Sequence, residues 1–206
     1  AVAGNAHAVV AITPAGEPLW RQALEEDPVR GPILSTMAEK PVVIAGCASG
    51  GVEILDAASG KRLKRVEAGN GCVTALYVAE VGGAPGKELL VADNLGVDCF
   101  DESGGRVWRA AVPGANGVGA GVIGGEAVVL VGTGSGTLEV LSGRGQRLFQ
   151  ENRAAGAVIG TPLAADIDGD KAAECLYLSA DRLLRVFELG LSTPVPAMPV
   201  STAPKP

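Results

Sequence analysis

The chain has 206 residues, a net charge of −6 and 47% hydrophobic residues, yet only 3% aromatics. That length holds one good-sized domain or two small ones and buries enough surface to fold without disulfide staples. The acidic balance lacks the basic face of a nucleic-acid binder, and thirty glycines with 13 prolines call for many tight turns rather than a helix bundle. The best apolar run, Gly121 to Val131, is interrupted by Glu126 and falls short of the ~18–20 residues a membrane helix needs. The first residues, Ala1-Val2-Ala3, carry no leader pattern, which leads to the expectation of a processed chain or a segment of a longer one.

Taken in order, the elements repeat. An apolar strand, a turn and a second, alternating strand ending on a polar residue recur, closing at Thr13, Asp56, Asp101, Ser142 and Glu188. The intervals between these anchors are 43, 45, 41 and 46 residues, and seven residues past the first four stand Trp20, Leu63, Trp108 and Phe149. A glycine follows most anchors by three or four places, at Gly16, Gly60, Gly104 and Gly145. Alternation such as Val52-Glu53-Ile54-Leu55 fits half-buried antiparallel strands. A further strand precedes each later copy, at 33–35, 73–77, 118–123 and 161–164. Four short strands every ~40–50 residues are the mark of a β-propeller blade, whereas a β-sandwich gives no reason for a phrase to recur.

The expected fold is therefore all-β: a β-propeller of about five repeats of roughly 44 residues over residues 1–190. The first copy lacks its first strand and the last copy a clear final one, so the expectation is a five-bladed ring with trimmed blades or, preferred, part of a larger ring. Residues 191–206, with Pro194, Pro196, Pro199, Pro204 and Pro206, read as an extended tail or linker.

The chemistry concentrates at Asp166-Ile167-Asp168-Gly169-Asp170-Lys171-Ala172-Ala173-Glu174. Carboxylates at positions 1, 3, 5 and 9 of a tight loop converge, and hard oxygens in that number suit Ca²⁺, with a backbone carbonyl from Ala172 filling the shell. An EF-hand is excluded, because Lys171 and Tyr177 stand where it needs Gly and Glu. The competing reading is an Asx-rich turn in which the aspartates bond their own backbone. A second stretch, Glu80 to Glu88, keeps acids at 1 and 9 only, and no tightly held ion is expected there.

This loop, with Leu176-Tyr177-Leu178 and Leu184-Arg185-Val186-Phe187 after it, resembles the FG-GAP/VCBS repeats of integrin-α-like propellers. The resemblance implies Asp166, Asp168, Asp170, the Ala172 carbonyl and Glu174 as calcium ligands, although Lys171 stands where those repeats carry Gly and the last acid is Glu rather than Asp. The phrases Ile54-Leu55-Asp56-Ala57-Ala58-Ser59-Gly60-Lys61-Arg62-Leu63 and Phe100-Asp101-Glu102-Ser103-Gly104-Gly105-Arg106-Val107-Trp108 are similar instead to PQQ-like, quinoprotein-type propeller repeats.

Other motifs read as structure. Gly119 to Gly124 matches G-x-G-x-x-G, but a strand rather than a helix follows. The basic run Lys61 to Arg65 is expected to guard an outer strand from edge pairing. His7, the single histidine, is expected in a turn, and the cysteines Cys47, Cys72, Cys99 and Cys175 as free thiols, three of them in apolar runs. The functional expectation is a non-enzymatic module binding a protein or glycan, with one Ca²⁺-stabilised loop, no membrane span and an extracellular or periplasmic home. Further blades from another chain or segment are among its expected partners. The alternative is a fragment of a PQQ-dependent dehydrogenase, and no vicinal cysteine pair supports it.

Overall fold

The computed structural model describes residues 2–5, 7–69, 71–82 and 84–190; the expected tail at 191–206 lies outside them. Eighteen strands and no helix make up the described residues, so no helix is long and apolar enough to cross a membrane. The strands form five antiparallel meanders in chain order. The first holds β1 (Val2–Asn5), β2 (Ala8–Ile12) and β3 (Pro18–Ala23). The second holds β4 (Pro28–Met37), β5 (Lys40–Cys47), β6 (Gly51–Asp56) and β7 (Arg62–Glu67). The third holds β8 (Val73–Ala79), β9 (Glu88–Asp93), β10 (Gly96–Phe100) and β11 (Arg106–Ala111), and the fourth β12 (Ala115–Ile123), β13 (Glu126–Thr133), β14 (Leu138–Ser142) and β15 (Arg147–Glu151). The fifth is three-stranded: β16 (Val158–Ala165), β17 (Glu174–Ser179) and β18 (Leu184–Glu188).

The anchors Asp56 and Ser142 close the third strands of their meanders and Asp101 directly follows β10, while the four expected leading strands lie within β4, β8, β12 and β16. The second strands read as continuous apolar runs, such as Val42-Val43-Ile44-Ala45 and Val128-Val129-Leu130-Val131, because both faces are covered and every one of these residues is 2% exposed or less. Alternate residues then serve opposite neighbours. Leu89 and Val91 pack with the second sheet's Ile44, Val52 and Ile54, while Leu90 and Ala92 pack with the fourth sheet's Val129 and Val131. Sheets thus stack face to face along the chain with their first strands side by side, β4 by β8, β8 by β12 and β12 by β16. Among the described residues no extensive contact joins the fifth sheet to the first, and the ring is not closed.

Two devices lock neighbouring sheets. The Trp20 indole N–H donates to the Ala57 carbonyl at 3.0 Å, and that of Trp108 to Gly143 at 2.9 Å. Each ring covers the glycine of the next copy's anchor turn: a Cβ on Gly60 would stand 2.4 Å from the Trp20 ring, and one on Gly145 2.7 Å from Trp108. The recurring glycine and the recurring aromatic are two halves of one contact, made between consecutive copies. The second device lies between β12 and β16. A Cβ on Gly117, Gly119 or Gly121 would meet Gly160 O at 2.2 Å, Pro162 O at 2.0 Å or the Ala164 Cβ at 2.5 Å. Gly119 and Gly121 of the nucleotide-like motif, with Gly117 just before it, therefore let β12 and β16 touch, which needs no ligand.

Three residues before the anchors of the central copies, Glu53, Asp98 and Glu139 are buried. Arginines of the fourth strands neutralise them: Glu53 pairs with Arg62 at 2.8 Å and Arg65 at 3.0 Å, Asp98 with Arg106 at 2.9 Å and with Arg109, and Glu139 with Arg147 at 2.7 Å. Here the sequence expectation is corrected in part. Arg62 and Arg65 do sit on an outermost strand, but they turn inward to a buried carboxylate, since an unpaired charge there costs several kcal/mol. Burial still pushes the Asp98 carboxyl up, against the pull of Arg109 and Arg106.

Candidate functional site

The loop joining β16 to β17 contains the predicted ligands, and its shape follows from its own carboxylates. Asp166 Oδ1 accepts from the Gly169 N–H at 2.7 Å and Oδ2 from Lys171 at 3.0 Å, while Asp168 Oδ1 accepts from Asp170 at 3.1 Å. Gly169 and Lys171 adopt φ of +84° and +75°. The left-handed turn that would suit glycine is thus made at position 6, with lysine in place. At the far end Glu174, nearly buried at the start of β17, accepts from the Ile167 N–H at 2.9 Å.

Asp166, Asp168 and Glu174 are brought together, each offering an oxygen within 4.8 Å of the others. Asp170 stands outside that group; its Oδ1 takes the N–H of Ala172 at 2.7 Å, and Ala172 is half-buried. The three convergent acids fit the donor chemistry of a hard divalent cation, which takes six to eight oxygens. The same carboxylates also satisfy the Asx-turn bonds of the competing reading. Beside the loop a cavity of about 630 Å³ is lined by the Gly124-Gly125 turn, Asp170, Lys171, Ala172 and Glu188.

The second acidic stretch is built alike at its closing end. Glu88 is fully buried and accepts from Val81 at 2.9 Å and Ala84 at 2.6 Å. The Val81 bond repeats the Ile167 to Glu174 bond in register, so the ninth-position Glu closes the loop in both copies.

A polar cluster escaped the sequence reading. Arg30, Thr74, Asn116 and Thr161, one from each of β4, β8, β12 and β16, line a cleft of about 310 Å³. Each lies at a register shift in its strand pairing, where a bulge re-aims the side chain. Arg30 Nε donates to the Thr74 carbonyl at 2.5 Å and Thr74 Oγ1 to Ala115 at 2.8 Å, linking three first strands in series. No periodicity flags such residues, because a bulge breaks the alternation that makes strands legible.

The remaining singled-out residues are structural. His7 sits in a turn at φ +53°, its N–H on Asp27 at 2.9 Å. All four cysteines are free; Cys72 is exposed, and burial pushes the thiols of Cys47, Cys99 and Cys175 up to about 11, 12 and 12.

Recurrent antiparallel meanders, stacked face to face and clasped at two junctions by a tryptophan on a glycine, define a β-propeller architecture. Comparison with known proteins falls on that class: residues 93–181 match the PQQ_2 family model, described as outer membrane protein assembly factor BamB. Among solved structures, the computationally designed Ika4 protein is 16% identical over 78% of this chain and 94% of its own, with a TM-score of 0.57. The designed Ika8 protein is 16% identical over 91% of this chain and 57% of its own, with a TM-score of 0.63. BBS1N, solved in complex with ARL6DN, is 14% identical over 91% and 60%, with a TM-score of 0.68. The chain thus spans well under two thirds of the length of the latter two, and at these identities the likeness concerns fold alone. No curated protein matches.

Proposed function

We propose that this chain is a non-enzymatic propeller module that binds a protein or glycan, with Ca²⁺ rigidifying the loop between β16 and β17. The observation that carries the reading is the convergence of Asp166, Asp168 and Glu174 within 4.8 Å. The FG-GAP/VCBS resemblance implies Asp170 and the Ala172 carbonyl as the remaining ligands, which requires the Asp170 carboxylate to swing in from its bond with the Ala172 N–H, and the ion neutralises acids that otherwise repel. A protein partner is supported by the likeness to the family of the outer membrane protein assembly factor BamB and to BBS1N, which was solved in complex with ARL6DN. A home outside the cytoplasm agrees with both that family's description and a weak site, since extracellular modules bind Ca²⁺ at about 10⁻⁴–10⁻³ M.

The test is a thermal melt with and without chelator. Chelation lowers the midpoint of the wild type and leaves Asp168→Ala unmoved; equal loss in both removes the ion. Incubation with the quinone and Ca²⁺ separates the dehydrogenase alternative, which requires a bound chromophore.

A further inference from the structure

Seven of the twelve large hydrophobic side chains exposed among the described residues belong to the fifth sheet and its loops. Scattered singly, such residues mean little; here five of them share one sheet face. Ile159 stands opposite Leu178 and Leu178 opposite Leu184, while Leu163 stands opposite Leu176 and Leu176 opposite Val186. Five of the six are 42–63% exposed, and Leu176 is half-buried.

The third sheet has the same six positions in the same register: Ala75, Tyr77, Leu90, Ala92, Val97 and Cys99. There they form one cluster with Val118, Val129, Val131 and Leu141 of the fourth sheet, and the four on β9 and β10 are fully buried. The fourth sheet repeats the arrangement, presenting Leu130, Leu138 and Val140 to Cys175 and Tyr177 of the fifth. The opposite face of the fifth sheet is thus already used. Its outward face keeps the apolar pattern of a blade-to-blade contact and, among the described residues, has nothing upon it.

We infer that the face formed by Ile159, Leu163, Leu176, Leu178, Leu184 and Val186 seats a further propeller blade, an antiparallel sheet whose first strand lies beside β16 and whose small aliphatic side chains meet this face. Three observations select that occupant. The face continues, in register, the interfaces already formed by the second, third and fourth sheets. First strands lie side by side at every complete interface, and a second copy would bring up its first sheet, which begins at the second-strand position and has no partner for β16. The folds of Ika8 and BBS1N, which match 91% of this chain, hold a further two fifths or so of their own length outside the match. The inference rests on the fold and is independent of the calcium loop, so each can fail alone.

The test follows hydrogen exchange of β17 and β18 in the 206-residue chain and in a form extended after Glu188 by a copy of residues 102–157, which supplies an outer strand and one complete sheet. In the extended form exchange across 174–188 slows at least tenfold, and Leu178→Glu with Leu184→Glu abolishes that slowing. In the parent chain the same pair leaves the melting midpoint unchanged, because the face is uncovered. Exchange equal in the extended and parent chains overturns the inference. So does a parent that sediments as a dimer with concentration-dependent protection, which assigns the face to a second copy. Faster exchange on truncation after Gly190 assigns it to residues 191–206 and overturns it equally.

Discussion

Gly119→Ala sets two physical effects of opposite sign against each other. Glycine within a strand is less stable than alanine by about 0.5–1 kcal/mol, so propensity alone raises the melting temperature. Gly119 has no left-handed φ to protect it. Yet the added Cβ would lie 2.0 Å from the Pro162 carbonyl oxygen and 3.1 Å from Thr161 Cγ2, where even a favourable carbon–oxygen contact needs about 3.3 Å. The obstacle is backbone, so no rotamer relieves it, and β16 must retreat by about an ångström. That retreat loosens the cluster of Leu130, Leu138, Val140, Val158, Cys175 and Tyr177. Overpacking of this kind costs roughly 1–3 kcal/mol, outweighing the propensity gain. For a domain this size, the net loss of about 1 kcal/mol left after that gain lowers the midpoint by ~2–4 °C. Calorimetry on the two proteins decides it: an unchanged or raised midpoint would refute the claim that these glycines exist to let β12 and β16 touch.

Three further outcomes follow from other contacts. Lys171→Gly removes a lysine from φ +75° and stabilises the metal-free chain by about 1 kcal/mol, read as a higher denaturation midpoint in chelator; no gain would mean the turn is absent in solution. Asp181 is held well below the usual carboxylate range by Arg185 and then by the Ser179 hydroxyl. Its contribution is therefore present above pH ~4, the unfolded value, and is lost as pH falls toward the folded one. Asp181→Asn should flatten the acid limb of stability against pH in this window, and an unaltered limb would contradict the pairing. A thiol reagent should modify one cysteine, Cys72, in the native protein and all four only after unfolding, counted by mass; fast native labelling of Cys47, Cys99 or Cys175 would mean their sheets open readily.

What the sequence made legible was whatever repeats. Alternation between anchors exposed the strands because each copy solves the same burial problem, and the trimmed first and last copies are three-stranded for the reason their phrases were incomplete. Less visible was anything made between copies. Spacing placed Trp20 and Trp108 seven residues past an anchor, but not that each reaches forward to the glycine of the following turn. Arg62 and Arg65 looked like edge guards because their acid, Glu53, lies on the adjacent strand. The acidic loop was found by ligand spacing, yet spacing could not tell that Asp170 would bond Ala172 and stay outside the cluster. Of the exposed fifth face nothing showed, since Leu176 and Leu178 read like any core strand until their neighbours are known.

Because each meander, among the described residues, packs chiefly on the ones before and after it, cohesion is handed along like links of a chain, and stability approximates a sum of unit and junction contributions. Damage at one junction then stays local. The central units, held on both sides, should outlast the outer two under gentle denaturation, so the molecule loosens from its ends inward and not all at once.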